Sequence, residues 1–246
     1  MYIFITESFQ KASKWLNDNQ GVVSTAIFVA TLLIGWTSGI FSALRRRPVL
    51  KIRLIDGPTF CCNFPTGKTY GEYETHRTGF ALYVAITNVG SAATSIEDIA
   101  LGYHWHLHPI SIQWLRHTVG WFWLTDQVAA LTDFQVKIGG NVKVYPFLTQ
   151  INALSPVKVN TFLDVGQSAN GVVYFEQSES WGGCFPSVHE GRVRVKVRIR
   201  DVFGKSHTAK FKIPSLTLQE ARAFNPEFGK TLVELHGEQL PFDKNI

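Results

Sequence analysis

The sequence is short of cysteine and short of charge. Its 246 residues include three cysteines, Cys61, Cys62 and Cys184. An odd, sparse set argues against a disulfide framework and for a reducing compartment. Cys61 and Cys62 are neighbours rather than a CxxC, and one further thiol does not complete a tetrahedral metal site. No Asn-x-Ser/Thr triplet occurs, so nothing points to a glycosylated ectodomain. Charged residues make up 17% and hydrophobic residues 45%, too apolar for disorder and low in charge for a wholly water-exposed protein. Catalytic signatures are missing as well: there is no G-x-S-x-G, no H-E-x-x-H and no paired-carboxylate motif. The run from Pro65 to Thr69 ends like a P-loop, but Cys62 stands where its first glycine is required and no helix pattern follows. A tethered hydrolase or metalloenzyme is therefore the weakest class, and no motif implies a cofactor.

Charge is absent altogether from residues 21–44, an apolar run of 24 residues. A helix of about 20 apolar residues crosses the hydrocarbon core of a bilayer, so the run predicts a transmembrane helix. The basic cluster Arg45, Arg46 and Arg47 follows the run instead of preceding it, and the run is too long for a signal peptide. Lys11 and Lys14 lie before the span; Arg45, Arg46, Arg47, Lys51 and Arg53 lie after it. The Lys/Arg bias places the N-terminus outside and the main domain in the cytoplasm of a single-pass protein of the cell membrane. Residues 1–20 read as a short extracytoplasmic or interfacial leader, with Ile5, Phe9, Ala12 and Leu16 at helical spacing. Gly35 and Gly39 form a GxxxG that Ala43 extends, a small-residue ridge on which a second copy could pack.

Beyond the span the period changes to two. Residues 49–56 alternate lysine and arginine with leucine and isoleucine, as a half-buried strand does. Residues 79–88 and part of 94–108 read as further strands, joined by a short polar link that suggests a hairpin or adjacent pair. Residues 142–148, 157–165, 171–177, 191–200 and 206–213 complete about eight. Residues 49–215 are thus expected to be mainly β, an antiparallel immunoglobulin-like sandwich with a β-barrel as the alternative. Residues 216–246 are expected to hold a short helix, opened by a Thr217/Glu220 capping box and stopped at Asn225, and then a tail.

The strongest local signal is the alternation from Arg192 to Arg200. Strand side chains alternate faces, so Val193, Val195, Val197 and Ile199 should face the core. Arg192, Arg194, Lys196, Arg198 and Arg200 should line the other face, joined by Lys210 and Lys212 from the next strand. Residues 191–213 hold eight basic residues and one acid, a net of +7 in a chain of net +5, so the remainder sums to −2. Like charges across strands repel, so this face needs acidic neighbours, part of which Glu176 and Glu179 near the preceding strand could supply, or an anionic ligand such as a lipid headgroup or a nucleotide. These two strands carry no alternating aromatics of the kind that stack bases.

Two other groups stand out. His104, His106 and His108 would share one face of a strand, a weak metal-ligand pattern whose plainer reading is an exposed polar face. Residues 101–131 hold four of the seven tryptophans, which either fill the core or touch the bilayer; core is the expectation. The function most consistent with all of this is a non-enzymatic binding or adaptor module presented by a membrane anchor to a protein partner. The second reading is an effector or sensor whose basic face takes a phosphorylated ligand, nucleotide or anionic lipid.

Overall fold

A computed structural model describes residues 10–11, 13–39, 46–107, 110–128, 132–149 and 161–230. The chain divides into two compact units, Met1–Arg47 and Pro48–Ile246.

In the first unit, residues 10–11 and 13–18 are helical, and helix α1 spans Gln20–Thr37. Eighteen residues give a helix of about 27 Å at 1.5 Å per residue. The hydroxyls of Thr25, Thr31 and Thr37 donate to the carbonyls of Gly21, Ile27 and Leu33 one turn back, so the polar groups of an apolar helix are satisfied within it. The helix stops short of residue 44. Gly39 takes φ 74°, the left-handed conformation that terminates helices. Gly35 and Gly39 therefore do not share one continuous helical face, and the expected GxxxG ridge is broken. Ala43 and Arg45 lie outside the described residues, and Arg46 and Arg47 are exposed and non-helical.

The second unit is mainly β and antiparallel. The first sheet is built on β3 (Tyr73–Asn88). One of its edges pairs with β1 (Leu50–Leu54) and then with β2 (Phe60–Tyr70); the other pairs with β9 (Ser168–Trp181). The second sheet is built on β4 (Thr94–Tyr103) and β11 (Arg192–Asp201), which pair with each other. The free edge of β11 takes β12 (Ser206–Pro214). Beside β4 lie β5 (Phe122–Leu124) and β8 (Phe162–Leu163), and β10 (Val188–His189) extends the pairing of β11. A hairpin, β6 (Phe134–Ile138) with β7 (Asn141–Tyr145), stands apart from both sheets.

The sheets pack face to face. Phe80, Leu82, Val84, Ile86, Val173 and Phe175 of the first meet Ile99, Leu101, Tyr103, Val195, Val197 and Ile199 of the second in one buried cluster. The first sheet is buried on its outer face too. There Phe60, Cys62, Ala81, Val172 and Tyr174 pack under Phe134 and Tyr145 of the hairpin, Phe147, and Ala221 and Phe228 at the C-terminal side. Ala221 belongs to helix α3 (Leu218–Phe224), which opens with the capping box read from sequence, Thr217 with Glu220. Cys61 and Cys62, being consecutive on a strand, point into the two different clusters. Burial raises the Cys61 thiol and pushes Cys62 up to about 12, so both behave as small core residues.

One sequence expectation about the strands is corrected. Residues 79–88 and 94–103 are not a hairpin: Thr87 and its neighbours pair in the first sheet and Thr94 onward in the second, so the link 89–93 crosses between sheets. β2 runs through Pro65 to Gly67, with its register shifted between Pro65 and Thr69, which accommodates the missing N–H of proline.

Candidate anion-binding face

β11 alternates as its sequence requires. Val193, Val195, Val197 and Ile199 are buried, and Arg192, Arg194, Lys196, Arg198 and Arg200 lie on the outer face. β12 adds Lys210 and Lys212 in register: Lys196 stands opposite Lys210, and Arg194 opposite Lys212. Arg200 meets Glu97 at 3.2 Å. Among the described residues, no carboxylate reaches salt-bridge distance of the other six. The two acids expected to help lie elsewhere: Glu176 pairs with Arg77 and Glu179 with Lys68, both on the first sheet.

Aromatic rings occupy the place of acids. β5 pairs with the end of β4, setting Trp123 opposite Gly102. Glycine lets the ring lie close there: a Cβ at 102 would stand 3.2 Å from the indole, which would have to shift to admit it. The Arg198 guanidinium carbon lies 4.5 Å from the Trp123 ring centre, and Lys196 5.7 Å. Trp121, two residues earlier, faces the same way, with Lys196 at 5.8 Å and Lys210 at 5.9 Å. Cation–π contacts hold such side chains in place without neutralising them. The rings come from a segment far away in sequence, which is why the strands alone showed none.

The tryptophan-rich segment therefore does several things. Phe122 and Leu124 turn inward, and with Trp105 they pack on the core between the sheets. Trp121 and Trp123 turn outward onto the basic face. Between them and β4, α2 (Ile112–Trp114) and a π-helical turn (Leu115–Val119) form a projecting tip. Ile110 is 96% exposed and Ile112 87%, and Ile110 has φ 76°, a conformation that a β-branched residue rarely adopts. A cleft of about 660 Å³ opens between β5 and β9, lined by Trp105, Phe122, Trp123 and Trp181 with Asp126 and Gln177.

The three histidines do not share a strand face, because β4 ends at Tyr103. His104 donates from Nδ1 to the Gly120 carbonyl at 2.7 Å, and its ring lies 4.0 Å from that of Trp121. Burial holds its imidazole below the usual value, and Arg194 and Lys210 push the same way against the Gly120 bond. His106 stacks on Phe185, and His108 lies outside the described residues. Among the described residues, no three His, Cys, Asp or Glu side chains converge as metal ligands would.

The second unit is thus a pair of packed antiparallel sheets with one outer face covered and the other open, cationic and ring-lined. No protein-family model matches this chain, and no curated protein matches it in sequence.

Proposed function

We propose that this chain is a single-pass membrane protein whose β unit is a cytoplasmic, non-enzymatic binding module for phosphate-bearing ligands. Helix α1, with a mean hydropathy of 1.5 over 18 residues, supports the spanning role. The Lys/Arg bias supports a cytoplasmic β unit. Strand order supports an immunoglobulin-like sandwich: β2, β3 and β9 stand in the places of strands A, B and E, and β4, β11 and β12 in those of C, F and G.

The single observation that carries the ligand is the pair of cross-strand cation contacts, Arg194 with Lys212 and Lys196 with Lys210, with no acid between them. Like charges directly opposite are destabilising, and an anion lying across them offsets that cost. The row from Arg192 to Arg200 extends about 27 Å at 3.4 Å per residue, which suits an extended polyanion better than a single ion.

The test is charge reversal in the full chain, Arg194→Glu with Arg198→Glu. Binding to a short single-stranded oligonucleotide and to nanodiscs carrying anionic lipid is measured as a function of salt. Each contact is worth about 1 kcal/mol, so the double reversal should weaken binding at least about tenfold. Unchanged binding to both probes would remove the face as the ligand site.

A further inference from the structure

The unit has two ends. At one, Pro48 leads into β1; at the other lies the projecting tip around Ile112. Four separate segments meet at the Pro48 end, and each brings an apolar side chain to it: Val49, Val89, Val165, and Val202 with Phe203. All five are between 42% and 68% exposed. Their meeting follows from the hydrogen bonds. Val89 N–H donates to the Val49 carbonyl, Gly166 N–H to Asn88 and Val202 N–H to Ser95, and the Lys205 ammonium reaches the Pro48 carbonyl.

Two buried polar hubs brace this end. The Asn88 side-chain amide donates to the carbonyls of Ala92 and Leu163 and accepts from the N–H of Val49 and of Gly90, tying three segments together. Asp201 accepts from the N–H of Phe203 and of Lys205 through one carboxylate oxygen, and from His207 Nε2 at 2.9 Å through the other. His207 Nδ1 in turn accepts from Leu50 N–H. The turn carrying Val202 and Phe203 is therefore fixed to the first residues of β1. A well-braced turn that holds Phe and Val out into water is costly unless something covers them.

We infer that this end is a bilayer-docking platform, with Val89, Val165, Val202 and Phe203 seated in the headgroup region of an anionic membrane. The inference rests on the reading of α1 as a membrane span. The occupant follows from charge and from chain continuity. Arg46 and Arg47 are joined directly to Pro48, and Lys51 and Lys205 stand exposed beside it. Among the described residues, the acids at least partly exposed near this end are Asp164, the half-buried Asp98 opposite Arg200, and Glu97, which Arg200 already engages. Apolar side chains beside exposed lysines, on a surface that follows two arginines in sequence, have the composition of interfacial membrane contacts. The platform would fix the height of the β unit, and the basic strand, which runs from end to end, would stand beside the membrane rather than lie beneath the unit.

The test uses the full chain in nanodiscs containing anionic lipid. A Cys184→Ser background is chosen because Cys61 and Cys62 are buried. An environment-sensitive fluorophore is attached at Phe203→Cys or, for reference, at Ile112→Cys, and quenched by lipids nitroxide-labelled at the headgroup. Quenching at 203 should be several-fold stronger than at 112, with a blue-shifted emission. Equal quenching, or stronger quenching at 112, overturns the platform while leaving the span intact. A chain that an alkaline wash strips from membranes overturns the span, and this inference with it.

Discussion

The two outer faces of the sandwich handle charge and apolar surface in opposite ways. The outer face of the first sheet is closed under a hairpin, a helix and the segment to Phe228, and its rings pack in edge-to-face, tilted and stacked pairs. Its central charge, Glu176, is sequestered by Arg77 and takes a hydrogen bond from Tyr174. Among the described residues, no layer covers the outer face of the second sheet. Among these residues, six of its seven cations are left without a carboxylate, and three of the six, Lys196, Arg198 and Lys210, rest beside two indoles. Nothing in strand physics requires one face to be sealed and the other left open. On the proposed reading, stability rests mainly on the first sheet and ligand binding on the second.

That division can be broken by mutation. The largest effect is expected from Phe134→Ala. Phe134 is fully buried, and its ring centre lies 5.8 Å from that of Tyr174 and 5.9 Å from that of Phe147. The lost burial and the cavity should cost about 4 kcal/mol, read as a lower denaturant midpoint for the β unit, while the folded protein keeps its oligonucleotide affinity. A loss of affinity in the folded fraction would show that the faces are coupled. Next comes Arg77→Ala. It leaves a carboxylate whose side chain is 9% exposed without its guanidinium and removes a donor to the Gly229 carbonyl. About 3 kcal/mol of destabilisation is expected, since a largely buried carboxylate then loses its counter-charge and keeps the Tyr174 hydrogen bond. A near-neutral result would mean that water reaches Glu176 and that this face is less sealed than its packing implies.

How far each face could be read from sequence follows the same line. The basic face was legible because β11 alternates one buried aliphatic with one exposed cation through Ile199, which is the period-two signal in its plainest form. The covered face was not. β3 is apolar at Ala81 and Tyr83 as well as at Phe80 and Leu82, so it gives a continuous run that shows burial on both sides but not what buries them. The packing of the β6–β7 hairpin and of α3 onto this face is a long-range choice with no local signature, although Gly139-Gly140 marks the hairpin turn itself. Trp121 and Trp123 reach the basic face only because β5 returns to β4 after a projecting tip, and periodicity does not encode a return path. The crossing at residues 89–93 was missed for a related reason: a short polar link is equally compatible with a hairpin and with a step between sheets. The capping box at Thr217 was legible because it is built from residues three apart.

The smallest expected effect is the most diagnostic, because its sign is reversed. Lys212 stands opposite Arg194. Lys212→Glu replaces a repulsive cross-strand pair by an attractive one on an exposed surface, where such pairs are worth a few tenths of a kcal/mol to about 1. The variant should be more stable than the parent by about 0.5 kcal/mol and should bind the oligonucleotide more weakly. Salt separates this from incidental repacking. Screening weakens repulsion between exposed charges, so the parent should gain stability as ionic strength rises and the variant should gain less or lose. A surface selected only to stay soluble would show the stability change with no loss of binding. A surface that tolerates its own repulsion for the sake of a ligand would show both, and the two changes would converge at high salt. If Lys212→Glu destabilises the sheet, then Lys212 already has a stabilising role on this face, and the contrast between the two faces fails at its most exposed point.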